Sequence, residues 1–411
     1  MDALLTAADA AVTARHGRPP PARQPVHTVY VPADRVGPHP VRAYGAQALD
    51  VLFRHVAAPD GLAEVTGIDR DLVWEVFPRL LRKLRAEPVE DLRIDLEDGY
   101  GLRPDDVEDA DALSATARLL ASADEAPPWW GVRVKSLEPT TRRRALRSLD
   151  LVLGSVLEAG DLPAGFVVTL PKVSSVDQVA AMGLACERLE AAHGLPAGRL
   201  RFEIQVETPE AVIAPDGTVT VARAVATGGG RVSGLHFGTY DYSAALGIGA
   251  AQQSLDHPVA DHAKAVMQVV AAATGVQVAD GSTNVLPVGG TAAVHAAWRL
   301  HARLVRRSLE RGIPQGWDLH PAQLVTRYLA TFAFYRESLG PAGRRLSAYL
   351  AGTSTGVLDE PATVRALAGP LLRGLRCGAV DEDEVRAAAG VGSAELVQLA
   401  TGGRSPAVAS R

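Results

Sequence analysis

"LRIDLEDGYGLRPDDVEDADALSATARLLASADEAPPWWGVRVK", residues 92–135, decides how the rest of the chain is read. It starts with a short run rich in branched apolar residues, "LRIDLED" (92–98). A polar, glycine-containing turn follows, then a helical pattern, "DVEDADALSATARLLASA" (106–123), and a second extended run, "WWGVRVK" (129–135). Strand, helix and strand in direct succession call for two parallel strands joined by a right-handed crossover.

The same unit recurs on both sides. "HTVYVPA" (27–33) precedes it; "GFVVTLPK" (165–172), "RFEIQVET" (201–208), "VSGLHFGTYD" (232–241), "VQVADG" (276–281) and "GWDLHPAQ" (316–323) follow. Helical stretches such as "RRRALRSLDLVLGSVLEA", "VDQVAAMGLACERLEAAHG" and "TAAVHAAWRLHARLVRRSLERG" separate them. Eight such units imply an α/β fold, a (β/α)8 TIM barrel, with a doubly wound open sheet as the alternative. The barrel is expected over 26–340, after an N-terminal extension at 1–25. A mainly helical insertion at 36–90 follows the first strand. Residues 341–411 read as a C-terminal helical lid or extension with a disordered tail.

Composition narrows the function. The chain has 411 residues, 47% of them hydrophobic, enough for a sizeable core. A net charge of −5 without a basic block, and only 5% aromatic residues, argue against nucleic acid as a partner. Two distant cysteines, Cys186 and Cys377, make neither a disulfide framework nor a paired metal motif. The first 25 residues lack the pattern of a signal peptide, and no apolar run reaches the ~20 residues of a membrane span. A cytoplasmic protein without membrane association is expected.

Barrel enzymes place their chemistry at the C-terminal ends of the strands. Asp95, Glu97 and Asp98 collect there, with Arg133, Lys135, Lys172, Gln205, Glu207, Asp241, Asp318 and His320. Three carboxylates within four positions at a strand end need partners, because burying them unpaired is costly. A carboxylate pair with open positions suits Mg²⁺, or Mn²⁺, whereas zinc would want His or Cys at short spacing. The plainer readings are that Glu207 and Asp241 belong to a helix start and a turn. His320 then makes a structural hydrogen bond, and His236 lies in the core or at an interface.

In order, "HTVYVPADR", "DLEDGYG", "VRVK", "LPKV", "QVETPEAV", "FGTYDYSAALG" and "WDLHPAQ" resemble the citrate lyase β-subunit and HpcH/HpaI aldolase family. Malyl-CoA lyase and malate synthase are wider relatives. The resemblance covers about residues 26 to 330. It implies a phosphoenolpyruvate/pyruvate-type barrel with Mg²⁺ held by Glu207 and Asp241. Arg133 would clamp the substrate, and Glu97 and Asp98 would hold metal-bound waters and orient the arginine. Lys135 and Lys172 are candidate substrate contacts, with a solvated position on the rim as the alternative. The implied activity is a carbon–carbon lyase acting on an oxo acid or acyl-CoA adduct through a metal-stabilised enolate. The implied assembly is a homo-oligomer, a trimer or hexamer. A general base would be Asp359 in "TGVLDEPATVRAL" (355–367). Lys135, where relatives often carry Asn, and the "YDY" at 240–242 put the substrate in question. A non-catalytic subunit retaining the metal site, or a phosphoryl-transfer enzyme, are the alternatives.

Overall fold

The computed structural model describes residues 23–353 and 361–401, with positions 2, 5, 6 and 10 besides. Eight strands form one all-parallel sheet: β1 (His27–Pro32), β2 (Asp91–Asp95), β3 (Trp129–Arg133), β4 (Phe166–Leu170), β5 (Phe202–Val206), β6 (Val232–Phe237), β7 (Gln277–Ala279) and β8 (Gly316–Asp318). Their order is β7-β6-β5-β4-β3-β2-β1-β8. A parallel bridge between Ala279 and Gln315 joins the two ends, and the Asp280 N–H donates to the Gln315 carbonyl at 2.8 Å. The sheet is therefore a ring, the TIM barrel the repeated strand–helix unit implies.

Period-two alternation sets what each strand shows to the two faces. On β2, Leu92 and Ile94 are fully buried against the surrounding helices. Asp91, Arg93 and Asp95 occupy the other parity and are buried as well. Arg93 hydrogen-bonds Glu203 of β5 at 2.9 Å and 3.1 Å, contacts Asp91, and meets Thr169 of β4 at 3.1 Å. His236 of β6 joins Glu203 at 3.0 Å, and the Trp317 indole N–H donates to His236 at 3.1 Å. The barrel interior is thus a paired polar network beneath the rim. His236 belongs to this core.

The 36–90 insertion folds as three helices, Pro40–His55, Pro59–Thr66 and Arg70–Ala86. Leu52, Leu62, Leu80 and Leu84 are buried in the barrel's own hydrophobic core. After β8, one helix runs from Gln323 to Ala351. Its first half sits in that core, while Leu346 near its end joins Val364, Leu371, Val385 and Leu396 in a second one. The boundary expected at 340 thus falls inside a continuous helix. Arg79 of the insertion pairs with Asp381 at 2.7 Å and Glu384 at 2.9 Å, tying the insertion to the C-terminal helices. Among the described residues, no helix is long and apolar enough to cross a membrane.

Candidate metal centre at the barrel rim

Asp95, the last residue of β2, faces Arg133, the last residue of β3, in the parallel register. Its carboxylate accepts from Arg133 Nε and Nη2, both at 2.7 Å. It also accepts from the backbone N–H groups of Glu97 and Gly99, each at 3.0 Å. One buried carboxylate therefore fixes both the turn and the guanidinium. Arg133 lies 4.7 Å from the centre of the Tyr30 ring and 5.9 Å from that of Trp317. Gln205 accepts from its Nη1 at 3.3 Å. Three of the five N–H donors are engaged in this way, and two remain for a ligand.

Glu97, expected to orient Arg133, stands 3.6 Å from it, whereas Asp95 makes the direct pair. Burial pushes the Glu97 carboxyl up to about 7. Burial pushes Glu207 higher, to about 8, against the pull of the Lys172 charge. Burial also works to raise Asp98, but hydrogen bonds from Lys172 and Glu97 outweigh it and hold that carboxyl below its usual range.

Lys172 follows β4 with φ +51°, in the left-handed region a side-chain-bearing residue seldom adopts. That conformation aims its backbone N–H at Glu207 Oε1, 2.7 Å away. Strain of this kind, roughly 1–3 kcal/mol, persists where surrounding structure over-determines it, and functional sites are where it collects. The Lys172 ammonium lies 2.8 Å from Asp98, in contact with Asp241, and 3.7 Å from Glu207. Asp98, Glu207 and Asp241 offer carboxylate oxygens all within 4.8 Å of one another. An all-oxygen, all-carboxylate set suits a hard divalent cation, and the ammonium shows that the cradle accepts positive charge. The residues present fit Mg²⁺ or Mn²⁺.

Asp98, Arg133, Glu207 and Asp241 line a cleft of about 470 Å³, with Tyr30, Arg35, Tyr240, Ser282, Trp317 and Leu319 on its walls. Gly238 lets β6 end close to Glu207: a Cβ there would lie 2.4 Å from Glu207 Cβ.

Two residues collected at the rim from sequence, Lys135 and Asp318, lie elsewhere, and His320 makes the structural hydrogen bond expected of it. Lys135 donates to the carbonyls of Leu96 and Gly101 at 2.7 and 2.8 Å and pairs with buried Glu108 at 3.1 Å. Its charge holds the 96–101 turn together. Asp318 is fully buried on the outer face of β8, where Arg327 reaches it at 3.0 Å and His27 and His301 at 3.0 and 3.1 Å. His320 accepts from the Ala322 N–H at 3.2 Å, a local turn bond. Asp359 lies outside the described residues. Tyr30 and Trp317 were not singled out as site residues from sequence, although period two on β1 puts Tyr30 on the inward face; Gln205, read at the end of β5, does line the cleft.

A family model described as a domain of unknown function, DUF6986, matches residues 5–402. No curated protein matches the chain. Among solved structures, it is similar to a citrate lyase from Burkholderia xenovorans LB400 at 24% identity, covering 76% of this chain and 92% of that one, with a TM-score of 0.58. It is also similar to Haloferax volcanii malate synthase in a magnesium and glyoxylate complex, at 14% identity, 92% and 97% coverage and a TM-score of 0.52. At such identities the likeness establishes the shared barrel.

Proposed function

Because the chain belongs to the DUF6986 family and folds as this barrel, we propose from the chemistry of its rim that it is a Mg²⁺- or Mn²⁺-dependent carbon–carbon lyase. Its substrate would be an oxo acid or the corresponding acyl-CoA adduct. The observation that carries the reading is the convergence of Asp98, Glu207 and Asp241 within 4.8 Å beside a clamped, half-committed Arg133. The malate synthase that shares the fold was solved with magnesium and glyoxylate, a cation and an oxo acid of the kinds proposed here.

Glu207 and Asp241 would hold the cation, with Asp98 completing the cradle. A divalent cation bound there supplies Lewis-acid charge to the oxo and carboxylate oxygens of the substrate. The two N–H groups of Arg133 outside its bonds to Asp95 and Gln205 would hold the substrate carboxylate by directed, charge-assisted hydrogen bonds. Asp95 keeps the guanidinium plane fixed, so that little rotamer freedom is lost on binding. Tyr30 and Trp317 flank the guanidinium and shield it from water. Lys135 acts at one remove, by fixing the turn that carries Glu97 and Asp98. Asp359 is proposed as the base.

Thermal unfolding in EDTA, in Mg²⁺ or Mn²⁺, and in metal with glyoxylate, pyruvate, oxaloacetate or oxalate tests the reading, because ligands of the folded state raise the midpoint. A shift that needs both metal and oxo acid, and disappears in Glu207→Ala and Asp241→Ala, is expected. An unchanged midpoint under every condition would exclude the metal centre.

A further inference from the structure

The cradle that would take the divalent cation already holds a cation of the chain's own. Mg²⁺ bonds carboxylate oxygens at roughly 2.0–2.1 Å. To reach Asp98, Glu207 and Asp241 together, it must therefore sit among them. The Lys172 ammonium stands there: 2.8 Å from Asp98, in contact with Asp241, 3.7 Å from Glu207 and 3.9 Å from Glu97. Two cations at one point repel each other and compete for the same oxygens.

The two halves of Lys172 are tethered differently. Its backbone is fixed by the N–H bond to Glu207 and the left-handed φ. Its ammonium rides on a flexible four-carbon stem and reaches solvent, with 20% of the side chain exposed. The backbone can stay on Glu207 while the head moves. Arg133 and Lys135 lack this freedom: Arg133 is locked to Asp95, and Lys135 to two carbonyls and Glu108.

We propose that Lys172 and the divalent cation occupy the carboxylate cradle in turn, and that metal loading releases the Lys172 ammonium to meet the substrate's carboxylate. This rests on the metal-centre reading above. It gives the site an order of events, metal before acid. It also gives the cradle's carboxylates a counter-charge while no metal is bound.

Isothermal titration of the full chain with MnCl₂ tests the exchange. Lys172→Gln should bind Mn²⁺ at least tenfold more tightly than the wild type, and Lys172→Arg, which keeps a cation, should stay near the wild type. Metal-loaded Lys172→Gln should bind oxalate several-fold more weakly. In the unaltered protein, Mn²⁺ should increase amine acetylation at Lys172, read by mass spectrometry, a measurement that does not depend on the variants folding. Equal or weaker Mn²⁺ binding by Lys172→Gln, unchanged oxalate affinity, or acetylation indifferent to Mn²⁺ would overturn the proposal. If wild type and Lys172→Gln bind Mn²⁺ equally, the exchange falls and the metal centre stands. If neither binds it, both fall.

Discussion

Arg133 carries more of the rim's geometry than any other single side chain, and Asp95 is what fixes it. Replacing Asp95 with Asn keeps the volume but turns one acceptor into a donor against the guanidinium. Breaking a buried ion pair costs roughly 3–5 kcal/mol, so Asp95→Asn should lower the unfolding midpoint clearly. Arg133→Lys keeps the charge and loses the planar fork. Metal-loaded Arg133→Lys should bind oxalate at least roughly tenfold more weakly, a loss of about 1.4 kcal/mol. Calorimetric titration checks this, and wild-type affinity in the variant would remove Arg133 from substrate binding. The acidic cluster was legible in the sequence because carboxylates at a strand end need partners. Which of them pairs with arginine was not. Period two relates Asp95 to Glu97 and Arg133 to Lys135 only while the chain is extended, and β2 and β3 end at Asp95 and Arg133. Beyond those residues the chain turns, so Glu97 stands off and Lys135 caps carbonyls.

At the scale of elements, the strand–helix alternation of the sequence predicted the ring of parallel strands, because each crossover leaves few other arrangements. The faces of the last strand were less clear. With three residues, β8 shows Trp317 to the cleft and Asp318 to the helices. That parity explains why an acid read at a strand end became part of the outer packing. The β6 end makes the sharpest prediction at this scale. Gly238 has an ordinary extended backbone, so Ala causes no dihedral strain there. The added Cβ, however, meets Glu207 Cβ at 2.4 Å and Oε2 at 2.9 Å. Gly238→Ala should fold, at an overpacking cost of roughly 1–3 kcal/mol. It should weaken Mn²⁺ binding by roughly ten- to a hundredfold, the range for disturbing the support of a metal ligand. Unaltered Mn²⁺ affinity in a folded variant would show that Glu207 is not a ligand.

The whole molecule joins two titrating regions of opposite sign, and its stability against pH should show both. At the rim, burial raises Glu207 to about 8 and Glu97 to about 7, above their ordinary 4.5. A carboxyl raised in the folded state binds its proton there first, so metal-free stability grows as pH falls from about 8 toward 4.5. For Glu207 the change is worth roughly 5 kcal/mol at most. On the outer face of β8, burial works to raise Asp318, yet Arg327 and then His27 and His301 hold it well below the usual range. Its stabilisation is complete above the unfolded value of about 3.9 and is lost as pH falls below it. Inside the barrel, Glu203 has the same sign, because Arg93 and His236 outweigh its burial. His301, lowered by burial, tempers the upper limb, since the unfolded chain takes up its proton below about 6.5. The metal-free midpoint should therefore rise from pH 8 to about 5 and fall below about 4. Glu207→Gln should flatten the upper limb, and Asp318→Asn, though less stable throughout, the lower one. Saturating Mg²⁺ should remove the upper limb by holding Glu207 ionised. Calorimetric unfolding from pH 3 to 9, in EDTA and in Mg²⁺, separates the contributions. A Glu207→Gln profile that overlays the wild type in EDTA would mean that the rim carboxyl is not held in the protonated state its burial demands.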